Sequence, residues 1–272
     1  MGWRQTWYSA LLWGYERKKL FDRESRRRNA VYAGKDSVDG ARVPAADLRV
    51  KVAGTADIFS FLDGGEKAAA TVRDLLSAQG VAADRIGRML DFGCGCGRVL
   101  RHWRTLSSTE LHGADSNAEL AEWCNRNLPR VKVRVNRAEP PLDYPAEKFD
   151  VIYAFSVLTH MPEDLQRDWM REFGRILSPS GYLIFSTHGR HYVDRLSGEE
   201  KKKFERGELV VRHMGARGTN YCNAFHPEAW VRERLLGDWE VVEFVACGAR
   251  GNPMQDVWMA RRREVLSPKF AK

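Results

Sequence analysis

The residues able to do chemistry gather around one glycine-rich stretch, Asp91-Phe92-Gly93-Cys94-Gly95-Cys96-Gly97. A glycine at every second position supplies positive φ without a Cβ penalty and lets the backbone approach a ligand closely. The amides of such a turn, and of a helix start behind it, are expected to point at an anion or polar group. The spacing is G-x-G-x-G, and Arg98 stands where the dinucleotide fingerprint would carry its third glycine. Asp91, just ahead of the turn, would repel a pyrophosphate but suit an ammonium. Asp115 lies about twenty residues beyond Gly93, the offset at which a βαβ unit brings a carboxylate to a ribose diol. Alone, Asp115 reads equally as a cap for the helix that follows; paired with the loop, diol binding is the stronger reading. His160, His188 and His226 add three side chains that titrate near neutrality.

These residues need elements to hold them. The segment around Met89 and Leu90 reads as a buried strand, and Val99, Leu100, Trp103 and Leu106 recur at helical spacing behind the turn. A second strand is expected over 110–115, a helix over 118–127 and an alternating strand over 131–135, with Ala138 and Glu139 beyond its carboxyl end. An apolar run over 149–155 suits a central strand ending at Phe155. Pro162, Glu163 and Asp164 then begin a helix whose buried face is Leu165, Trp169, Phe173, Ile176 and Leu177. Another strand over 181–188 ends at His188. Strands alternating with helices predict a doubly wound, mostly parallel sheet, with ligands at the carboxyl ends of its strands. Asp91, Asp115, Arg137, Phe155 and His188 would share that rim. Two late strands, 239–247 and 256–262, suit a C-terminal antiparallel hairpin.

Upstream, a short alternating segment spans 48–54, a helix is expected over 66–78, and residues 44–65 are candidates for a lid. Residues 189–226 break the alternation and read as a substrate-lid insert, with a charged helix over 198–207. Domain boundaries follow: an aromatic and basic helical extension over 1–43, one α/β domain over 44–263, and a tail over 264–272.

The extension is expected to be helical over 3–28, with Trp3, Trp7, Leu11 and Tyr15 on one face. Arg17, Lys18, Lys19, Arg23, Arg26, Arg27 and Arg28 follow against only Asp22 and Glu24. Such a helix either rests on a membrane or lipid-linked substrate or packs on the core or a second subunit; packing is favoured, because apolar faces on helices are mostly buried in protein. The whole chain carries 272 residues, a formal net charge of +8 and 43% hydrophobic residues, so one large domain with appendages is expected. No stretch is apolar enough to span a membrane, and no secretory signal is expected. The five cysteines show no zinc spacing, so Cys94 and Cys96 read as small fillers of a tight turn, no metal is expected, and the compartment reads as cytoplasmic.

The pattern Asp91-Phe-Gly-Cys-Gly-Cys-Gly-Arg98 resembles motif I of the class I S-adenosylmethionine-dependent methyltransferases. Asp115, the run from Phe149 to Pro162, and Leu177-Ser-Pro-Ser-Gly-Tyr-Leu183 extend the likeness over about 44–262, and bacterial enzymes carry its nearest form. The resemblance implies a seven-stranded sheet closed by an antiparallel hairpin, and S-adenosyl-L-methionine as cofactor. It implies that Asp91, Phe92, Gly93, Cys94 and Gly95 hold the methionine end, Asp115 and Ser116 the ribose, and Ala138 and Glu139 the adenine side, while Phe155 could set an aromatic face near the sulfonium. Arg137 departs from the family, many of whose members carry Asp there. The stretch Asn220-Tyr-Cys-Asn-Ala-Phe-His226, with Gln255 and Asp256, is similar to a subgroup that methylates glycans or secondary metabolites.

The implied reaction moves a methyl group in line from a sulfonium, and much of its catalysis is alignment. An oxygen acceptor also needs a base, for which His188 and His160 rank ahead of His226. A small-molecule acceptor is therefore expected: a sugar, a glycolipid or a natural product. Two rivals stand beside it. An RNA or protein methyltransferase would use the basic N-terminal segment, but the Pro-Pro-aromatic motif of the nucleic-acid enzymes is missing after Phe155. A non-catalytic scaffold of the same fold would have no reason to keep the glycine loop and Asp115. The sequence leaves room for an oligomer.

Overall fold

The computed structural model describes residues 14, 16–33, 35, 37–38, 40–216, 221–252 and 254–263. The face formed by Trp3, Trp7, Leu11 and Tyr15, and the tail over 264–272, lie outside these residues. What is described of the extension is not one continuous helix. Residues 16–20 are helical, the chain turns at Phe21, and helix α1 (Arg23–Asn29) starts afresh from Asp22, whose carboxylate accepts the Ser25 amide. An aspartate with a free amide three residues on makes a better cap than a mid-helix residue, so the basic run is split. Glu24 pairs with Arg27 and Arg28, and Arg26 lies over the Phe21 ring.

Strands β1 (Ser37–Val38) and β2 (Ala41–Arg42) form a small ladder. The segment over 48–54 is helical rather than extended: α2 (Ala46–Ala53) ends on Gly54 at φ 63°. Its alternation meets two different surfaces, with Leu48 and Val50 buried, and the left-handed glycine closes the helix. Helix α3 (Ile58–Ala78) begins earlier than the apolar spacing suggests, because Asp57 caps the Ser60 amide. Gly64 and Gly65 then let α3 lie against the chain at Arg98, where a Cβ on Gly65 would sit 2.0 Å from the Arg98 carbonyl oxygen.

The main sheet holds β3 (Arg88–Phe92), β4 (Glu110–Asp115), β5 (Val131–Val135), β6 (Phe149–Ala154), β7 (Leu177–Thr187), β10 (Trp239–Val245) and β11 (Asp256–Arg262) in the order β10-β11-β7-β6-β3-β4-β5. The five from β5 to β7 are parallel, and β11 and β10 are antiparallel. This is the expected seven-stranded, doubly wound sheet with a C-terminal hairpin. The helix expected behind the glycine turn is instead a run of turns ending in a 3₁₀ segment, Leu100–Trp103. Its spacing still buries Val99, Leu100 and Trp103.

Each face of the sheet has its own apolar core, as alternating side chains require. Met89, Leu111, Val151, Tyr153 and Ile184 meet α3, the 3₁₀ segment and α4 (Ala118–Asn127). Leu90, Phe92, Ile152, Phe185 and Trp258 meet α5 (Glu163–Ile176) and the later helix α7 (Glu228–Trp230) with the π turn that continues it. The insert after β7 has a third cluster of Tyr192, Val193, Phe204, Val210 and Phe225. It is built from α6 (Gly198–Glu205) and the hairpin β8 (Val210–Arg212) and β9 (Asn223–Phe225). No helix among the described residues is long and apolar enough to cross a membrane.

Candidate functional site

Phe92 ends β3, and the chain turns through Gly93, Gly95 and Gly97, all at positive φ. Gly93 is needed twice over. Its φ is +75°, and a Cβ there would lie 2.4 Å from Val157 Cγ2. The loop after β6 therefore presses on the loop after β3. On the other side Val52 of α2 covers Gly95, and the Cys96 thiol reaches the Leu48 carbonyl.

The turn's amides do not radiate outward as an anion cradle. Gly93 and Cys94 donate to the Ala114 carbonyl, Gly97 donates to the Cys94 carbonyl, and Gly95 donates to Asp115 Oδ2 over 2.8 Å. With these donors spent inside the chain, the loop is poorly equipped for a pyrophosphate. Asp115 is fixed instead: Oδ2 takes Gly95 and Oδ1 takes the Asn117 amide at 2.8 Å. The helix cap is Asn117, not Asp115. Each carboxylate oxygen keeps a second lone pair, so the group can accept two more hydrogen bonds side by side. Burial raises the Asp115 pKa, and the two amides pull the other way.

Asp91 points to the opposite sheet face from Phe92, under the glycine turn. It is 4% exposed, and its Oδ2 has no hydrogen-bond partner among the described residues. Burial pushes its pKa up to about 7, partly offset by the Tyr153 hydroxyl and the Arg98 guanidinium. A buried carboxylate with an unpartnered oxygen calls for a cation. Arg98 does not fill that need, because its guanidinium is turned to the Gly251 carbonyl at 3.2 Å and Asn252 Oδ1 at 2.6 Å. That bond ties the turn before β11 to the glycine loop. An ammonium beside Asp91 and a diol beside Asp115 suit this donor set.

The remaining sequence candidates fall as follows. The Phe92 ring packs 4.4 Å from Trp169 and 4.9 Å from Phe173, so only its backbone faces the turn. Cys94 is buried with its thiol against the Gly95 carbonyl, and no group of metal-ligating residues occurs among the described residues. Ser116, Ala138 and Glu139 are exposed, and the Ala138 carbonyl accepts Trp169 Nε1 at 2.9 Å. Phe155 is buried beside Tyr153, itself wholly in the core.

The three histidines, far apart in sequence, come together at the ends of β6 and β7. His160 and His188 stand edge to face with centroids 6.4 Å apart. His160 Nδ1 lies 2.7 Å from the Cys222 carbonyl and His188 Nδ1 lies 3.2 Å from the Ala224 carbonyl. A carbonyl only accepts, so both rings carry their proton on Nδ1 and both hold the insert down. The half-buried His160 leaves Nε2 without a hydrogen bond among the described residues. His226 is buried and bonds Gln166 Oε1 through Nε2 at 3.1 Å, while its Nδ1 has no partner among the described residues. Burial lowers all three pKa values, to about 3 for His188 and His226; His160 and Arg195 add to the effect at His188.

Sequence reasoning named Gln255 only through the subgroup resemblance and missed Ser156 and Ser186, which hydrogen-bond to Gln255 beside His188. Ser156 N donates to Ser186 Oγ at 2.7 Å, and Ser186 Oγ donates to Gln255 Oε1 at 2.7 Å. Ser156 sits at φ +60°, a left-handed turn that a serine does not announce.

A sequence family described as a methyltransferase domain matches residues 65–241. A malonyl-[acyl-carrier protein] O-methyltransferase of Enterobacter lignolyticus (strain SCF1) is 32% identical over 115 residues. That match covers 42% of this chain and 43% of the relative, so the chain aligns with less than half of that enzyme. Among solved structures, the 1,6-didemethyltoxoflavin-N1-methyltransferase of Burkholderia thailandensis, with 1,6-didemethyltoxoflavin and S-adenosylhomocysteine bound, is similar at TM-score 0.55 and 20% identity. The likeness covers 84% of this chain and 94% of that one. The PH0226 protein of Pyrococcus horikoshii OT3 aligns at TM-score 0.54 and 15% identity, over 75% of this chain and 96% of that one. At these identities the structures establish the fold. With the family match spanning most of the chain and the sheet order and glycine loop in place, the chain belongs to the class I, S-adenosylmethionine-dependent methyltransferases.

Proposed function

We propose that this enzyme methylates an oxygen atom of a small-molecule acceptor, and that the acceptor docks between the loop after β6 and the insert over 189–226. The bound cofactor supplies an electrophilic methyl carbon on a sulfonium. Asp91 holds its ammonium end through the unpartnered Oδ2, Asp115 its ribose diol, and the backbone from Phe92 to Gly95 with Ser116 shapes the groove. Ala138 and Glu139 flank the adenine, and Phe155 stands toward the sulfonium.

One observation carries the acceptor reading: of the three clustered histidines, only His160 has a ring nitrogen that is neither bonded among the described residues nor fully buried. Its Nδ1–H is held by Cys222, so Nε2 presents a lone pair, and a lowered pKa keeps the ring neutral at pH 7. A neutral imidazole so held can take the acceptor's hydroxyl proton as the methyl group arrives. His188 and His226, the other candidates, serve as walls. A sugar, glycolipid or natural-product hydroxyl fits this arrangement, and the O-methylating relative supports an oxygen acceptor.

Methyl transfer from labelled S-adenosylmethionine to panels of hydroxylated small molecules and acyl carriers tests the reading. His160→Gln should lower kcat about a hundredfold with cofactor affinity intact. The wild-type rate should fall only below pH 6.5, as Nε2 becomes protonated. Full activity in the variant would reject His160 as the base.

A further inference from the structure

Gln255, at the entry to β11, joins side chains from three elements in one closed chain. Ser186 of β7 donates to Gln255 Oε1 at 2.7 Å, and Gln255 Nε2 donates to Ser156 Oγ at 2.6 Å. Gln255 Nε2 also lies 3.3 Å from His188 Nε2. The direction of every bond follows from one end. The Ala224 carbonyl can only accept, so His188 Nδ1 carries the proton and His188 Nε2 is the acceptor. The amide must therefore turn its NH₂ to His188, which leaves its oxygen for the Ser186 hydroxyl. Gln255 is 3% exposed, so no solvent competes for these bonds.

The consequence is a division of labour between two neighbouring imidazoles. His188 has both nitrogens engaged, and a second proton on Nε2 would face an NH₂ group. Around it stand His160, Arg195, Tyr192 and His226, none of them anionic at neutrality, with the Asp256 carboxylate packed on the neighbouring Gly189; the Ala224 carbonyl favours the imidazolium, and burial outweighs it. A charged His188 would oppose protonation of His160 at the moment a base there must accept a proton.

We propose that Gln255 is a positioning residue, which with the Ala224 carbonyl holds His188 as the neutral Nδ1–H tautomer and so leaves His160 Nε2 as the proton acceptor beside the acceptor pocket. The proposal rests on the reading of His160 as base, but its first test does not. Nitrogen-15 spectra of the imidazoles in the full-length protein report the tautomer of each ring directly. In the wild type His188 should show a protonated Nδ1 and an unprotonated Nε2 from pH 6 to 8. Gln255→Glu places an acceptor against Nε2, and should raise the His188 pKa by about two units or more while lowering kcat about tenfold at unchanged cofactor affinity. Gln255→Leu removes the NH₂ that opposes a second proton while the Ala224 carbonyl still holds Nδ1–H, so it should raise the His188 pKa by less than Gln255→Glu does, and Ser186→Ala should do so more weakly still by freeing the amide to turn. A merely structural role for Gln255 would lower Tm and leave both the spectra and the pH–rate profile as they were. The proposal is overturned if wild-type His188 carries its proton on Nε2, or if Gln255→Glu leaves the His188 titration where it was. If those spectra are as expected but His160→Gln remains active, the base assignment falls and the tautomer lock stands.

Discussion

Gly95 donates its amide to Asp115 Oδ2 over 2.8 Å, so the glycine turn and the end of the neighbouring strand are one rigid unit before any ligand arrives. The turn spends its amides on its own chain and on a carboxylate, and that carboxylate keeps lone pairs in reserve.

Replacing Asp115 tests that unit. Asp115→Ala should weaken S-adenosylmethionine binding about a hundredfold by calorimetry, since two hydrogen bonds to a charged acceptor are lost. Asp115→Asn keeps one acceptor oxygen, and should cost about tenfold. Equal, small effects from both would mean that the diol is held elsewhere.

Cofactor binding should release a proton. With its pKa near 7 in the free protein, the Asp91 carboxyl is partly protonated at pH 6–7. An ammonium brought against Oδ2 favours the carboxylate and lowers that pKa. Calorimetry at pH 6.5 in buffers of different ionisation enthalpy should show net proton release. Asp91→Asn should abolish it, and an unchanged release in the variant would place the titrating group elsewhere.

Gly93→Ala should damage the site from two directions. A Cβ is unfavourable at φ +75° and would press on Val157 Cγ2 at 2.4 Å. The expected loss is about 2–4 kcal/mol in stability, with the loop after β6 displaced. Val157→Ala in the same chain should recover the packing part and not the backbone part, which denaturation of the two variants would separate.

Acid sensitivity should trace to the buried histidines. His188 and His226 titrate at about 3 in the fold, against 6.5 ordinarily. Below pH 6.5 the unfolded chain takes up protons that the fold refuses, so the stability they contribute is full above 6.5 and drains away as pH falls toward 3. Burial without a charged partner is the main cause at both. His226→Asn should flatten urea-midpoint profiles over this window by about one proton's slope, roughly 1.4 kcal/mol per pH unit. Parallel profiles would clear His226.

The sequence alone determined the sheet, because apolar alternation and helix caps act over a few residues. The strand 110–115 and the helix 118–127 appear where periodicity placed them. It also marked Asp91 and Asp115, since a glycine turn and an acid one strand later form a local pattern. Helix boundaries at Asp57 and Asp22 were blurred, because a cap is set by which amide a carboxylate happens to meet. Three histidines could be named as candidates, yet their roles could not be divided. That division depends on which backbone carbonyls, Cys222 and Ala224, the insert brings to their Nδ1 atoms, and on Gln255 arriving from the last strand. A tautomer is decided by partners some tens of residues away in the chain, and only the folded sheet brings them within hydrogen-bond reach.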